Sequence, residues 1–255
     1  MNDSDALSPL WAASPALSET RVDVWLISLA EPSAAHDSRV AVVSRDERER
    51  AARLKFDGHR PLYVAAHAAV RGILSRYLKV RPEALQFVNG SNGKPSLTGK
   101  FAASGLRFNL SHSHEMALLG VTRGREIGVD IEWIKEDYGY QKVAKRFFTP
   151  NEVAQLRALP ASLQRQAFFK CWTSKEAFLK AKGTGLSGKL DEVEIALADD
   201  RTVRVRASVS GWTLSELTPG RGYEAAVVTE AGPLPVHCYR WQEPAADFPP
   251  ARPAS

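Results

Sequence analysis

The sequence predicts an α+β fold of two similar α/β halves, related by a pseudo-twofold axis, with a ligand in the cleft between them. Three observations support this prediction. The chain resembles itself at an offset of 105 residues, and each copy has a strand pattern followed by two helix patterns. The acidic residues suited to chemistry fall in the second copy. We place the N-terminal half at residues 19–122 and the C-terminal half, which carries the predicted metal site, at residues 123–242.

Each copy opens with a strand and continues with a short capped helix. Residues 22–26 fall on residues 127–131, strand on strand. The next helix is predicted from a capping box, in which a Ser or Thr and the Glu three residues later satisfy each other's backbone N–H groups. The two boxes are Ser44 with Glu47 and Thr149 with Glu152.

A longer amphipathic helix follows each capped helix. The first runs through residues 63–77 and the second through residues 168–179, each with apolar side chains recurring on one face. Strands are predicted after these helices, beginning at Leu85 and Leu190 and closing at residues 117–121 and 225–228. The order of elements is therefore the same in both copies.

Composition predicts a folded protein with two tails. The chain has 255 residues, of which 44% are hydrophobic, and residues 1–18 and 243–255 have the composition of disordered tails. No segment approaches the roughly 18 apolar residues that a membrane span needs, so we expect no membrane association and a cytoplasmic location. Two cysteines and six scattered histidines favour neither a disulfide nor a zinc site. The net charge of +5 favours an acidic partner or a polyphosphate ligand and does not distinguish these from nucleic acid.

Two acids stand on one face of the strand that opens the second copy. Ile127, Val129 and Ile131 alternate with polar positions, so Asp130 and Glu132 emerge together on the opposite face. Their side chains are roughly 6 to 7 Å apart along the strand. Like charges this close repel unless a cation lies between them, and Mg²⁺ is the cation that fits. The alternative is an exposed edge strand with solubilising charges.

The second long helix supplies a third acid. Its pattern ends at Gly183, and Trp172, Glu176 and Lys180 lie at i, i+4 and i+8 on one stripe. If this stripe faces the acidic strand, Glu176 is a metal ligand or a general base, and Lys180 with Lys175 adds charge for a phosphate. The alternative is an ordinary pair between Glu176 and Lys180 on the helix surface.

Three further segments carry candidate binding residues. A turn presents Gly93, Lys94 and Pro95, and a strand that runs through Asn109 enters a cluster with Ser111 and His112. The third is a basic stretch at the first capped helix, which is either a solvated face or part of a ligand site. It consists of Arg48, Arg50, Arg53, Lys55 and Arg60.

These residues resemble the motifs of the Sfp-type 4′-phosphopantetheinyl transferases. Four segments are similar to the motifs of that family in order and spacing, and the resemblance covers nearly the whole chain apart from the tails. They are residues 93–95, 109–113, 128–132 and 172–180. The family fold is a monomer of two similar halves with coenzyme A in the cleft, which agrees with the repeat described above.

The resemblance also implies the reaction and the role of each residue. A carrier-protein serine would attack the β-phosphorus of coenzyme A, taking the 4′-phosphopantetheine group and releasing 3′,5′-ADP. Asp130, Glu132 and Glu176 would hold Mg²⁺, with Glu176 also the base. The other implied contacts are phosphate contacts from His112, Lys175 and Lys180, adenine contacts from Gly93, Lys94 and Pro95, and nucleotide contacts from Arg50 and Arg60. Asn109 and Ser111 belong to the second motif and are expected at the coenzyme.

The resemblance also implies the partners, and the residues leave two other functions open. The expected partners are acidic acyl or peptidyl carrier proteins and coenzyme A, with no nucleic acid. One alternative is a Mg²⁺-dependent phosphohydrolase of a nucleotide-like substrate, which the acids alone would permit. Another is a basic nucleic-acid-binding module, although residues 45–60 contain a single aromatic residue, Phe56.

Overall fold

The computed structural model describes residues 16–30, 36–56, 58–185, 190, 193–198, 204–207 and 209–242. Apart from residues 16–18, both predicted tails lie outside the described residues. Within the described ranges, no helix is long and apolar enough to cross a membrane.

In each copy a strand, a capped helix, a longer helix and further strands follow one another in the predicted order. Each copy also has a helix that was not predicted, His36–Val42 in the first and Tyr140–Phe147 in the second, and the strands predicted to begin at Leu85 and Leu190 begin later, at Phe87 and Ile195. The helices are α1 (His36–Val42), α2 (Arg45–Ala52), α3 (His59–Leu78), α4 (Tyr140–Phe147), α5 (Pro150–Ala158) and α6 (Ala161–Lys182). The strands are β1 (Val22–Ser28), β2 (Phe87–Asn89), β3 (Pro95–Leu97), β4 (Leu106–Ser113), β5 (Met116–Arg123), β6 (Ile127–Trp133), β7 (Ile195–Ala198), β8 (Arg204–Ala207), β9 (Trp212–Leu217), β10 (Tyr223–Glu230) and β11 (Val236–Arg240). The mixed composition confirms the predicted α+β class.

Local hydrogen bonds explain where the helices begin and end. Both predicted capping boxes are present, because Ser44 caps α2 with Glu47 and Thr149 caps α5 with Glu152. Helix α6 ends at Gly183, whose φ of 68° is the left-handed conformation that glycine adopts without strain. These boundaries are set by short-range contacts, which is why the sequence predicts them.

The described strands form two main sheets and two short hairpins. The first sheet has the order β11-β1-β5-β4, the second has the order β6-β10-β9, and the hairpins are β2-β3 and β7-β8. Strand β11 comes from the end of the chain but pairs in parallel with β1. Residues 236–240 are therefore part of the first sheet, although they follow the second sheet in the sequence.

Three apolar layers hold these elements together. Helix α3 packs on one face of the first sheet, and helix α6 packs on one face of the second sheet. The remaining faces of the two sheets pack against each other through residues such as Val24 and Leu118 on one side and Val129 and Ile131 on the other. The apolar face of β6 is therefore buried between the sheets, and its acidic face is turned toward α6.

Candidate active site

The candidate site lies where the edges of the two sheets meet, at β4 and β6. The outer edge of β6 bonds to side chains of β4 instead of to a neighbouring strand. The Val129 N–H donates to Asn109 Oδ1 at 2.9 Å, and the Trp133 N–H donates to Ser113 Oγ at 3.0 Å. Because alternate residues of a strand point the same way, Ser111 also faces β6. The polar side chains of β4 thus position the acidic strand.

Asp130 is the centre of a buried hydrogen-bond cluster. Its Oδ1 accepts from Lys180 Nζ at 2.6 Å and from Ser111 Oγ at 2.8 Å, and Lys180 Nζ also contacts Ser111 Oγ at 2.8 Å. Asp130 is 3% exposed, and its Oδ2 is buried without a hydrogen-bond partner among the described residues. A buried carboxylate oxygen without a donor is costly, and it marks a place for a ligand.

Glu132 lies on the same face, two residues further along β6. Its Oε2 accepts from Ser113 Oγ at 2.7 Å. Burial raises the pKa of Glu132, and the negative charge of Asp130 adds to that effect. The two acids therefore repel each other, as their spacing in the sequence predicts.

Glu176 reaches the same place from α6. Burial and the charges of Asp130 and Glu132 raise the pKa of Glu176 to about 7, although Lys180 opposes the shift. Its Oε1 is buried with no hydrogen-bond partner in the described part of the chain. The helix comes this close because Gly128 has no side chain: a Cβ there would lie 2.0 Å from the carbonyl oxygen of Ala177. Glu176 and Lys180 share the helix face that was predicted.

The donor set fits a hard divalent cation. No three His, Cys, Asp or Glu side chains within the described ranges are grouped closely enough to hold a metal ion by themselves. Mg²⁺ does not need such a cage, because it is usually bound by one or two carboxylates together with substrate phosphates. The unpartnered oxygens of Asp130 and Glu176 are ligands of the type that Mg²⁺ prefers.

A cavity of about 440 Å³ lies beside the acidic cluster, in the first half. Phe108 and Leu110 line it from β4, on the face opposite Ser111. Arg50 and Glu47 line it from α2, and Pro95 lines it from β3. The cavity thus combines apolar walls with charged groups, which suits a nucleotide.

Glu47 is held firmly at the edge of this cavity. Its Oε1 lies 3.2 Å from His67 Nδ1, and its Oε2 accepts from Arg71 Nε and from the Ser44 N–H, both at 2.7 Å. Burial alone would raise the pKa of Glu47, but these hydrogen bonds outweigh it and lower the pKa to about 2. His67 also stacks on Tyr63. Neither His67 nor Tyr63 was predicted to be functional, although their i, i+4 spacing on α3 places the two rings side by side.

His112 lies on the cavity face of β4 and is exposed. Its pKa is lowered, first by partial burial of the ring and then by the charge of Lys180. The charges of Lys180 and Asp130 both act on this imidazole, so it is near the acidic cluster. Ser113, the last residue of the second motif, faces Glu132. No role was predicted for Ser113, although it lies two residues after Ser111 and therefore on the same face of β4.

Lys175 is the clear correction. It was predicted to contact phosphate, but its side chain is fully buried and forms an ion pair with Glu152 at 2.7 Å. Its Nζ also donates to the carbonyl oxygens of Leu190 and Val193. The prediction was wrong because adjacent helix positions differ by about 100° in direction, so Lys175 points to α5 while Glu176 points to β6.

Three other predicted contacts also differ. The Lys94 ammonium, expected at the adenine, lies 2.8 Å from Glu126 Oε2 and is turned toward the second half. Arg60 does not line the described cavity, and its Nη2 donates to the Leu54 carbonyl at 3.4 Å. The Asn109 amide, expected at the coenzyme, is occupied with the β6 backbone. Lys94 and Arg60 donate to acceptors of the protein itself, and Asn109 Oδ1 accepts from the Val129 N–H, so all three groups have partners within the fold.

The chain is similar to known proteins over most of its length. The family model described as the 4′-phosphopantetheinyl transferase superfamily matches residues 126–228. A 4′-phosphopantetheinyl transferase, HetI, from Nostoc sp. is 40% identical over 224 residues, which cover 87% of this chain and 94% of the relative. The 4′-phosphopantetheinyl transferase Sfp from Bacillus subtilis is 32% identical over 168 residues, covering 65% of this chain and 71% of the relative.

Solved structures of holo-(acyl-carrier-protein) synthases have a partial likeness. One is a holo-(acyl-carrier-protein) synthase from Bacillus anthracis in complex with CoA (3′,5′-ADP), which is 24% identical with a TM-score of 0.36 and covers 42% of this chain and 96% of its own. The sequence relative HetI carries the assignment, because the match covers 87% of this chain and 94% of the relative. This protein belongs to the 4′-phosphopantetheinyl transferase superfamily.

Proposed function

We propose that this protein transfers the 4′-phosphopantetheine group of coenzyme A to a serine of an apo carrier protein and releases 3′,5′-ADP. Membership of the superfamily supports the reaction class. The single observation that carries the assignment of the site is the pair of buried, unpartnered carboxylate oxygens on Asp130 and Glu176. A cation would supply the missing partner of both oxygens and would also attract a diphosphate to this point.

We propose that Mg²⁺ would take its protein ligands from Asp130, Glu132 and Glu176 and its other ligands from the substrate diphosphate, because the three acids are not grouped closely enough to hold an ion by themselves. When bound, the ion neutralises the charge that spreads over the phosphoryl oxygens during transfer. Its binding would also remove the mutual repulsion that raises the pKa of Glu132 and Glu176. The Ser111 and Ser113 hydroxyls orient the two strand acids, because each donates to one carboxylate.

Lys180 is the proposed cation for the transferred phosphate. An ammonium group has three donors, and within the described residues Lys180 uses two of them, on Asp130 and Ser111. The third is available to an incoming phosphate oxygen. His112 stands beside Lys180 and is proposed to contact the phosphates from the cavity side.

The cavity is the proposed site of the nucleotide. Pro95 and the apolar residues of β4 offer flat walls to an adenine ring, and Arg50 offers charge to a phosphate. The Gly93 and Lys94 backbone leads into the same wall, since both precede Pro95 in the turn. This placement puts the diphosphate between the cavity and the acids.

In the proposed transfer, one bond to the β-phosphorus forms and one breaks. The serine oxygen forms a bond to the β-phosphorus, and the bond between that phosphorus and the bridging oxygen breaks. 3′,5′-ADP leaves with the bridging oxygen. Glu176 is the proposed base for the serine proton, since its unpartnered oxygen lies next to the strand acids.

All of the proposed side chains come from a single copy of the chain, so we propose a monomer that recognises acidic acyl or peptidyl carriers. The positive net charge of +5 supports that choice of partner. Sedimentation of the protein alone and with its carrier tests the stoichiometry. A site completed only in a dimer would contradict it.

A mass-shift assay tests the function. The wild type, an apo carrier protein, coenzyme A and Mg²⁺ are incubated, and the carrier should gain the mass of one phosphopantetheine group. Asp130→Asn should lower kcat by at least about 100-fold, because removing one electrostatic contact in a preorganised site costs about that much. The matched control is Asp137→Asn, since Asp137 is an exposed acid just after β6.

Three results would count against the proposal. The first is a set of carriers that gain no mass with the wild type. The second is normal turnover of Asp130→Asn, or of the wild type in excess chelator. The third is release of phosphate from coenzyme A without any carrier, which would indicate a phosphohydrolase.

A further inference from the structure

The turn between β2 and β3 reaches across to the second half through the side chains of Asn92 and Lys94, and Lys94 makes most of the contacts. The Gly90 N–H donates to the Lys94 carbonyl at 2.9 Å, and Gly93 adopts a φ of 81°, so the backbone of the turn is closed and Lys94 stands at its end. Lys94 is followed at once by Pro95, a wall residue of the cavity. A shift of Lys94 would therefore also move Pro95 in the cavity wall.

The Lys94 ammonium is bound by three groups of the second half. Its Nζ contacts Glu126 Oε2 at 2.8 Å, the Ile127 carbonyl at 3.0 Å and the Ala181 carbonyl at 3.1 Å. These three acceptors use all three donors of the ammonium group. The side chain is 21% exposed, so the contacts are partly shielded from solvent.

These acceptors lie on the two elements that carry the acids. Ile127 is the first residue of β6, and Ala181 lies in the last turn of α6. The carbonyl groups of a last helical turn lack partners within the helix and carry the negative end of its dipole, so a cation is favourable there. Lys94 supplies that cation from a segment distant in sequence. Asn92 adds a second bond from the same turn, with its Nδ2 on the Gly183 carbonyl at 2.8 Å.

The contact also stands at the closest approach of strand and helix. Gly128 lies against the backbone of Ala177 and Ala181, and Lys94 binds the residue before Gly128 together with Ala181 itself. One ammonium group thus joins β6, α6 and the cavity wall at a single point. From that point, Asp130 lies further along β6, after Gly128, and Glu176 lies earlier in α6, before Ala177 and Ala181.

We propose that Lys94 is a positioning residue that fixes the nucleotide cavity relative to the acidic cluster. The proposal rests on the proposed function, in which one coenzyme A molecule spans both. Without the ammonium group, the cavity wall and the acids would shift relative to each other. Binding of the nucleotide would weaken, and the phosphorus would be misplaced, which is costly because displacements of about 1 Å reduce rates by up to about 100-fold.

Lys94→Met tests this role, since methionine keeps much of the apolar stem and removes the charge. We expect the KM for coenzyme A to rise about tenfold and kcat to fall about tenfold, because charge-assisted hydrogen bonds contribute enough to produce such changes. Lys94→Arg should lie between, because its planar group keeps the charge but does not match three converging acceptors. The matched control is Lys182→Met, which removes an exposed lysine from the same end of α6 and should stay within about twofold of the wild type.

The split between KM and kcat separates positioning from a loss of folded protein. A smaller folded fraction lowers the apparent kcat and leaves KM unchanged. The proposal is overturned if the KM of Lys94→Met stays within about twofold of the wild type, or if Lys182→Met shows the same rise.

A binding measurement distinguishes failure of this proposal from failure of the function. Calorimetric titration of coenzyme A in chelator needs no transfer, and Lys94→Met should bind about tenfold more weakly than the wild type, which corresponds to about 1.4 kcal/mol. Equal affinities would refute the positioning role even if transfer is observed. A wild type that binds coenzyme A but modifies no carrier would refute the function, and a weaker Lys94→Met would still support the positioning role.

Discussion

The capping glutamates of α2 and α5 make the same kind of contact in the two halves of the molecule. In the first half, Glu47 caps α2 and pairs with Arg71 of α3, with 2.7 Å between Oε2 and Nε. In the second half, Glu152 caps α5 and pairs with Lys175 of α6, with 2.7 Å between Oε1 and Nζ. Each pair ties a short helix to the long helix that covers a sheet.

The surroundings of the two pairs differ. The side chains of Glu152 and Lys175 are 0% exposed, and Lys175 lies 5.5 Å from the centre of the Phe148 ring. Glu47 is 13% exposed and lines the cavity together with Arg71. The same local contact is therefore structural where it is sealed and available to a ligand where a cavity adjoins it.

The comparison also explains the position of Glu176, the proposed base. At the offset of 105 residues, Glu176 corresponds to Arg71, whereas the buried Lys175 corresponds to Val70. In the second half the ion pair has moved by one residue along the helix, which turns it by about 100°. Position 176 is thereby released from holding α5 and faces Asp130. This difference turns one of two similar halves into an acidic site.

Breaking the sealed pair should have the largest effect. Lys175→Met leaves the Glu152 carboxylate buried without its cation, and we expect the free energy of unfolding to fall by about 3 to 5 kcal/mol. Urea denaturation measures the loss, with Lys182→Met as the control that stays within about 0.5 kcal/mol. A loss below about 1 kcal/mol would show that Lys175 does not hold α5 to α6.

The open pair should respond to acid. Glu47 has a pKa of about 2 in the folded state, well below the 4.5 of an unperturbed glutamate, so the folded state binds fewer protons between these values. Its contribution to stability is present above pH 4.5 and is lost as the pH falls toward 2, amounting to about 2 to 3 kcal/mol. Urea denaturation of the wild type and of Glu47→Gln across this range measures it. Parallel curves for the two proteins would contradict the assignment.

The acidic cluster should show the smallest effect, and with the opposite sign. Glu176→Gln removes one of three crowded carboxylates, so in chelator we expect the free energy of unfolding to rise by about 1 kcal/mol while transfer is lost. Glu152→Gln should instead destabilise the protein, because it breaks the sealed pair. If Glu176→Gln also destabilises the protein in chelator, the carboxylates do not repel one another as inferred.

Much of this site follows from local patterns. The alternation in β6 places Asp130 and Glu132 on one face, which is confirmed by their hydrogen bonds to Ser111 and Ser113 of β4. The i, i+4 spacing in α6 places Glu176 with Lys180, and both side chains face Asp130. Both capping boxes were also predicted correctly, and so was the order of the strand and the two longer helices in each half, whereas α1 and α4 were not predicted. These features depend on hydrogen bonds and side-chain directions within a few residues.

Contacts at the ends of long side chains were not predictable in this way. Lys94 and Lys175 both occur in motifs that imply phosphate or nucleotide contacts, yet their ammonium groups bind backbone carbonyls far along the chain. A lysine side chain reaches several bonds from its backbone, so its partner is whichever acceptor the packed elements bring within range. The motif supplies the residue type but not that acceptor.

The sequence by itself determined the helices, the strands and the acidic faces, because periodicity and capping act over a few neighbouring residues. The tertiary structure decided that β11 returns to the first sheet, that β4 side chains bond to the edge of β6, and that Lys94 joins the two halves. Each of these contacts joins residues 19 or more positions apart, as with the 20 positions between Asn109 and Val129. Their partners are selected by burial and by the demand for hydrogen bonds, which exist only once the sheets and helices have packed.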